Sequence, residues 1–114
     1  MSKRNWKLFL VDVLESIEKI ENYTSEISFE EFIKDEKTKD AVVRNIEIIG
    51  EAVKHIPEEI KEKYNEIPWK KITGMRNRLI HGYFVIDYTI VWKIIKNELP
   101  DLKEKVKIIL GKEV

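Results

Sequence analysis

Apolar residues recur at steps of four and three along two long segments of the chain, and this spacing predicts amphipathic helices. The first series is Trp6, Leu10, Val13, Ile17 and Ile20. The second series is Val42, Ile46, Ile49, Val53 and Ile56, and it predicts a helix from about Thr38 to His55. Each series covers one side of its helix, so we expect both helices to pack against other helices through that side.

The predicted helix starts carry side chains that suit the free backbone N–H groups found there. Ser28 and Glu31 have the spacing of a capping box, and Asp87 is a candidate N-cap for the segment YTIVWKIIKNEL. Pro57 suits the first position of a short helix over PEEIKEKY. The backbone N–H at that position has no partner within the helix, so the missing N–H of proline costs nothing there.

Two further prolines shape the second half of the chain. Pro68 is predicted to open a helix that runs through Leu79 into the segment RNRLIHGYF, residues 76–84. Pro100 either restarts or kinks the last helix. No segment shows the alternation of a strand, and 114 residues fit one domain. We therefore predict a single domain over residues 1–114, an all-α up-and-down bundle of four main helices plus short ones.

Composition excludes several kinds of functional site. The chain has no cysteine, which excludes disulfides, thiolate metal sites and cysteine nucleophiles. Two distant histidines and scattered acids lack the spacing of a metal site, so we expect neither metal nor cofactor. The apolar run near the start is interrupted by Asp12 and Glu15, which predicts neither a signal peptide nor a membrane span. These features indicate a cytoplasmic protein that does not associate with membranes.

Charge is spread unevenly along a chain whose formal net charge is zero. Residues 67–86 contain no aspartate or glutamate, but they contain Lys70, Lys71, Arg76, Arg78 and His81. Such a cluster is often only a solvated helix face. Because 37% of the whole chain is charged, a stretch of this length without an acid also indicates a surface that binds phosphate, as in RNA.

The segment RNRLIHGYF poses a geometric problem if it is wholly helical. Residues advance by about 100° on a helix, so Asn77 and His81 share a face, while Arg76 points away from His81. Two arrangements could still join Arg76 and His81. Either the helix breaks near His81, with Gly82 as its terminator, or a second subunit supplies the partner through a two-fold dimer.

The side chains of this segment suit RNA cleavage without a metal. The imidazole of His81 can take a proton from a ribose 2′-hydroxyl or return one to the leaving oxygen. The Arg76 guanidinium can hold the scissile phosphate, and Asn77 can orient the imidazole or the phosphate. Lys70, Lys71 and Arg78 would bind neighbouring phosphates. The alternative is that His81 has only a structural role near a helix end.

The segment resembles a known family. Arg76, four intervening residues and His81, with the polar Asn77 directly after the arginine, are similar to the R-x4-6-H signature of HEPN domains. Tyr83, two positions after His81, extends the fit to R-x4-H-x-Y, the pattern of the HepT-like (DUF86) subfamily. The segments DAVVRNIEIIGEAVKHIPEEIKEKY and IPWKKITGMRNRLIHGYF also resemble that subfamily in order and spacing, so the likeness covers about residues 7–110.

The resemblance implies a ribonuclease toxin of a type VII (HEPN/MNT) toxin–antitoxin pair. It implies a homodimer, possibly assembled further, in which paired R-x4-H motifs line a cleft and cut tRNA or mRNA without metal. By position, Arg76, Asn77 and His81 would be catalytic. Tyr83 would be the hydroxyl to which an MNT-type nucleotidyltransferase antitoxin attaches AMP, which silences the nuclease.

Two other functions stay open at this point: a non-catalytic nucleotide- or RNA-binding module that partners a nucleotidyltransferase, and a purely structural helical dimer. Three charged residues, Arg44, Glu47 and Glu51, share one face of the third helix. They either reach the cleft and hold Arg76, or form ion pairs within the helix or an interface, which we favour. His55 suits a structural role at a helix C-terminus.

Overall fold

Three long helical stretches make up most of the fold, which the computed structural model describes for residues 5–113. In chain order the elements are α1 (Trp6–Thr24), α2 (Phe29–Lys34), α3 (Glu36–Lys54), α4 (Glu58–Lys63), α5 (Trp69–Thr73), α6 (Met75–Leu79), β1 (Ile80–His81), β2 (Val85–Ile86), α7 (Tyr88–Lys93), a π-helical turn (Ile94–Glu98) and α8 (Leu99–Lys112). α7, the π-helical turn and α8 follow one another without a break and form the third long stretch. The fold is an all-α bundle, as predicted.

The two predicted apolar stripes form the centre of the core. Leu10, Val13, Ile17 and Ile20 of α1 are fully buried. On α3, the buried side chains include Val42, Ile46, Ile49 and Val53. α1 packs chiefly against α3 and also touches α8, so the stripes meet each other and the C-terminal helix. Burial of this apolar area is the main source of stability for such a bundle.

The predicted helix starts are largely confirmed. The Ser28 hydroxyl accepts from the Glu31 N–H, and the Glu31 carboxylate accepts from the Ser28 N–H, which completes the capping box. The Asp87 carboxylate caps α7 by accepting from the N–H groups of Thr89 and Ile90. Pro57 lies one residue earlier than predicted, as the N-cap of α4.

The single helix predicted after Pro68 is wrong, because it divides at Gly74 into α5 and α6. The φ and ψ of Gly74, −84° and 7°, leave the helical region, and its N–H bonds back to the carbonyls of Lys70 and Ile72. The backbone atoms nearest to a Cβ atom built at Gly74 belong to its own α5.

Two elements approach each other closely at Gly50 of α3. A Cβ atom at that position would come within 3.3 Å of the Thr73 carbonyl oxygen and 3.4 Å of the Ile72 carbonyl oxygen. Gly50 therefore allows the end of α5 to rest directly on the backbone of α3. This contact sets the position from which α6 begins.

Pro100 does not restart the C-terminal helix, which continues through a π-helical turn just before it. The Leu99 N–H bonds to the Ile94 carbonyl, five residues back, instead of the usual four. Proline has no N–H, and its ring displaces the carbonyl four residues earlier, so one wider turn accommodates Pro100 without a break. The same turn carries Glu98. Between residues 5 and 113, no helix is long and apolar enough to cross a membrane.

Candidate functional site

The segment 76–84 straddles the end of a helix and a small hairpin. α6 ends at Leu79, and Ile80 is already extended, with φ −90° and ψ 128°. Ile80 and Ile86 pair antiparallel, as do His81 and Val85. The predicted absence of strands is therefore wrong here. The branched side chains of Ile80, Val85 and Ile86 favour extended backbone, which the periodicity of so short a segment could not reveal.

The hairpin changes the geometry expected of His81. Asn77 and His81 do not share a helix face, because His81 lies on β1, beyond the end of α6. Gly82, with φ +67°, is not a helix terminator but the first residue of the three-residue loop between the strands. The Asp87 N–H donates to the Leu79 carbonyl at 2.7 Å, which ties the base of the hairpin to the end of α6 and the start of α7. The helix thus ends before His81, but this break does not by itself bring Arg76 and His81 into contact.

Arg76 is held by a carboxylate from the opposite helix. Its Nε–H donates to Glu47 Oε2 at 2.9 Å, and the side chains are 55% and 31% exposed respectively. Among the described residues, no hydrogen bond or ion pair involves its two Nη groups. A guanidinium fixed through Nε keeps a pair of parallel donors for a second anion, the geometry that suits a phosphate.

Arg78, two residues along α6, is engaged more fully. Both of its Nη groups donate to Glu98, at 2.8 and 2.7 Å, and Lys71 Nζ lies 3.8 Å from the same carboxylate. The hydrogen bonds from Arg78 lower the pKa of the Glu98 carboxyl, and those to Glu98 raise the pKa of Arg78. This cluster links α5 and α6 to the π-helical turn.

The acid-free stretch of sequence is therefore not an acid-free surface. Glu47 of α3 and Glu98 of the π-helical turn are both brought to it by folding. Lys70 is exposed and lines a shallow groove of about 710 Å³ between α4 and α5, where Glu58 and Glu62 also lie. The assignment of Lys70, Lys71 and Arg78 to phosphate binding stays a prediction.

The remaining motif side chains face solvent. Asn77 and His81 are exposed, and Tyr83 is 89% exposed at the tip of the hairpin. In the part of the chain that the structure describes, no hydrogen bond joins Arg76, Asn77 and His81 to one another. One protomer presents these groups on neighbouring elements with open access, so their roles stay predictions.

The three charged residues of the third helix separate. Glu47 contacts Arg76, against the ion pairing within the helix or an interface that the spacing favoured. Glu51 pairs with Lys54 at 2.9 Å, and with Arg44 it borders another hollow, of about 210 Å³. His55 caps the end of α3 beside that hollow, where it stacks on Phe9 with 4.6 Å between ring centroids. Across residues 5–113, no group of three or more histidine, aspartate or glutamate side chains is placed to hold a metal ion.

Sequence reasoning missed Glu98 and Phe84 at this site. Glu98 lies 20 residues from Arg78, and nothing in its local spacing singles it out. Phe84 is 81% exposed and has a positive φ of 56°, which side chains of this bulk rarely adopt. The only signal in the sequence was an aromatic residue beside Tyr83.

The chain is similar to a ribonuclease family and to several proteins named as ribonucleases. The profile of the family described as "Ribonuclease HepT-like" matches residues 13–109. A Thermococcus cleftensis protein named "Probable ribonuclease HepT" is 50% identical over 103 residues, which cover 90% of this chain and 94% of the relative. "Putative RNase MJ1216" of Methanocaldococcus jannaschii is 49% identical over 117 residues, covering 99% and 97%. "Putative RNase TTE0752" of Caldanaerobacter subterraneus is 48% identical over 105 residues, covering 92% and 94%. No solved structure matches the chain.

Proposed function

Because the chain belongs to the ribonuclease HepT-like family, we propose that it is a ribonuclease that cleaves RNA without a metal ion, at a site built around Arg76 and His81. The site acts in a toxin of a HEPN/MNT toxin–antitoxin pair. The observation that carries the proposal is the hydrogen bond from Arg76 Nε to the Glu47 carboxylate. It fixes the guanidinium yet keeps both Nη groups available for a phosphate.

The reaction needs only proton transfer and charge stabilisation. His81 takes the proton of a ribose 2′-hydroxyl, whose oxygen then attacks the adjacent phosphorus. The bond between phosphorus and the 5′ oxygen breaks, and that oxygen receives a proton from the imidazolium. The products are a 2′,3′-cyclic phosphate and a 5′-hydroxyl. Arg76 neutralises the charge that develops on the phosphorane oxygens, and Asn77 orients the phosphate.

A homodimer is part of the proposal. One protomer presents Arg76 on α6 and His81 on β1, with both side chains exposed at one edge of the bundle. A two-fold contact at this edge places two copies of each group around one cleft. RNA, as tRNA or mRNA, would lie along that cleft with its phosphates near Lys70 and Lys71.

Regulation of the site is assigned to Tyr83. Its side chain stands at the tip of the hairpin, where a nucleotidyltransferase of the MNT type can reach the phenol. The phenol oxygen attacks the α-phosphorus of ATP, pyrophosphate leaves, and the phenol proton passes to solvent or an enzyme base. The attached AMP adds an anion beside His81 that competes with RNA for Arg76.

The test is cleavage of labelled tRNA and of a model mRNA in the presence of EDTA. The wild type is compared with His81→Ala, and His55→Ala is the matched control, because it removes the other histidine from a separate hollow. We expect wild type and His55→Ala to cut and leave 2′,3′-cyclic phosphate ends. We expect His81→Ala to lose roughly a hundredfold or more in rate, the usual contribution of a general acid–base group.

Two results would overturn the proposal. Equal cleavage by His81→Ala and wild type would remove His81 from the chemistry. No cleavage by any variant, with Tyr83 shown by mass to be unmodified, would favour the alternative of a non-catalytic nucleotide- or RNA-binding module that partners a nucleotidyltransferase.

A further inference from the structure

Phe84 has a backbone conformation that a phenylalanine normally avoids. Its φ is 56°, in the left-handed region, at the last position of the three-residue loop that joins β1 to β2. Glycine or asparagine is the usual residue at such a position in a hairpin, because a bulky side chain there raises the free energy of the folded state. A phenylalanine at such a position points to a role other than folding.

The Phe84 side chain does not contribute to the core. It is 81% exposed, and among the described residues its aromatic neighbour is Tyr83, 6.0 Å away between ring centroids and even more exposed, at 89%. The hairpin strands and the bond from the Asp87 N–H to the Leu79 carbonyl fix the loop from below. Phe84 is thus an exposed aromatic ring on a firmly held base.

The ring borders a small groove whose lining is partly apolar and partly charged. The groove has a volume of about 160 Å³ and is lined by α3, α6 and the hairpin. Val43, Ile80 and Ile86 make its walls apolar, and Arg76 with its partner Glu47 lies in the same lining. A flat apolar surface beside a guanidinium matches the two halves of a nucleotide, a base and a phosphate.

We propose that Phe84 stacks against a nucleobase of single-stranded RNA seated in this groove, and so selects unpaired RNA and sets its register on Arg76. The inference rests on the proposed function and names the part of the substrate that this edge of the site recognises. Base stacking on an aromatic ring tolerates any base, because every base has a flat face. Phe84 therefore selects single-stranded over paired RNA rather than one sequence over another.

Charge favours a nucleic acid over a protein segment as the occupant. The guanidinium of Arg76 lines the groove, and its Nη groups have no partner among the described residues. A nucleotide supplies both a base to stack on Phe84 and a phosphate for these Nη groups. A protein segment would have to bring an aromatic or apolar side chain and an acid in the same spacing. A second protein at this surface is kept as an outcome of the test.

The experiment measures the affinity of fluorescein-labelled single-stranded RNA octamers by anisotropy, in a His81→Ala background so that the RNA stays intact. Phe84→Gly is the main variant, Phe84→Trp retains a stacking ring, and Ile108→Ala removes an exposed apolar side chain from α8 as the control. A ribose–phosphate octamer without bases serves as the second ligand. We expect Phe84→Gly to weaken RNA binding by about tenfold, with no change for the abasic octamer. Phe84→Trp and Ile108→Ala should bind both as the parent does.

A second readout separates stacking from folding. Because glycine relieves the left-handed strain, Phe84→Gly should raise the melting temperature while it weakens RNA binding. An equal loss of affinity for both octamers, or no loss for RNA, would contradict the proposal. A lower mass of Phe84→Gly by light scattering would also overturn it, and would make Phe84 a contact between subunits. Wild-type protein that binds RNA through Phe84 but does not cut it would sink only the nuclease proposal.

Discussion

Arg76 of α6 donates its Nε hydrogen to Glu47 of α3, 29 residues earlier in the chain, across a distance of 2.9 Å. The pair joins two elements that the sequence separates, and it orients the guanidinium before any substrate arrives. A catalytic arginine that is held in place loses less conformational entropy when it binds a phosphate. Glu47 is therefore a positioning residue in the proposed mechanism.

Replacing Glu47 by glutamine should slow cleavage without unfolding the protein. Glutamine still offers an acceptor but no charge, so Arg76 becomes less well held, and we expect kcat to fall by about ten- to a hundredfold. Partly exposed ion pairs contribute at most about 1 kcal/mol, so the melting temperature should change little. Glu51→Gln is the matched control, because Glu51 lies one turn along α3 and pairs with Lys54 instead. Equal rates for the two variants would show that Glu47 does not orient Arg76.

The Arg78–Glu98 pair predicts how stability depends on pH. The pKa of Glu98 is lowered in the folded state, chiefly by the two hydrogen bonds from Arg78. A carboxyl with a lowered folded-state pKa stabilises the fold at pH values above its ordinary, unfolded-state pKa, and that stabilisation disappears as the pH falls through the folded-state pKa. Thermal unfolding followed by circular dichroism between neutral and acid pH should reveal this loss in the wild type.

Glu98→Gln should remove that part of the pH dependence. At neutral pH we expect it to destabilise the fold on the order of 1 kcal/mol, which lowers the melting temperature by about 4 °C. At acid pH the variant and the wild type should converge. Glu104→Gln on α8 is the control, because Glu104 is exposed and makes no hydrogen bond or ion pair among the described residues. A constant difference between Glu98→Gln and wild type at all pH values would contradict the assignment.

Gly50→Ala should destabilise the protein even though alanine is the better helix former. Within a helix the exchange gains up to about 1 kcal/mol. At Gly50 the new Cβ atom would press on the backbone carbonyls of Ile72 and Thr73, and overpacking against backbone costs about 1–3 kcal/mol. Gly111→Ala, in α8 with nothing within 4 Å of the new Cβ atom, should show the opposite sign. Denaturant unfolding of both variants measures the two free energies, and a stabilised Gly50→Ala would refute the close packing of α5 on α3.

Tyr83→Phe should block modification and spare cleavage. The variant removes only a hydroxyl from an exposed ring, so its melting temperature and its RNA cleavage should match those of the wild type. Incubation with an MNT-type nucleotidyltransferase and ATP should add one adenylyl group to the wild type, seen by intact mass, and none to Tyr83→Phe. Tyr23→Phe is the control, since Tyr23 is 42% exposed on α1. Modification of Tyr83→Phe to the same extent would move the acceptor to another residue.

Local patterns predicted the elements that depend on neighbours in the sequence. The stripes of α1 and α3, the capping box at Ser28 and the cap at Asp87 all rest on spacings of two to four residues. The break at Gly74 and the hairpin after Leu79 were missed, because both occur in segments too short to show a period. Nothing local could foresee that Glu98 would meet Arg78, since that contact depends on how the π-helical turn before Pro100 aims its side chains.

At the candidate site, the motif in the sequence showed the residue types of Arg76, His81 and Tyr83. It did not show that they lie on a helix, a strand and a loop, respectively. The pairing of Arg76 with Glu47 was one of two interpretations left open, and the spacing on α3 favoured the other. Tertiary packing decides which charged residues meet in a long-range ion pair. A single sequence therefore indicates several possible partners and does not identify the one that forms.

The three-residue loop at the hairpin tip also bears on how relatives of this protein could diverge. Tyr83 and Phe84 are almost wholly exposed, while Leu79 beneath them is buried in the core. Changes at the tip therefore leave the packing that keeps the bundle folded largely untouched. These few residues can therefore be exchanged between family members as one short segment without disturbing the core of the bundle.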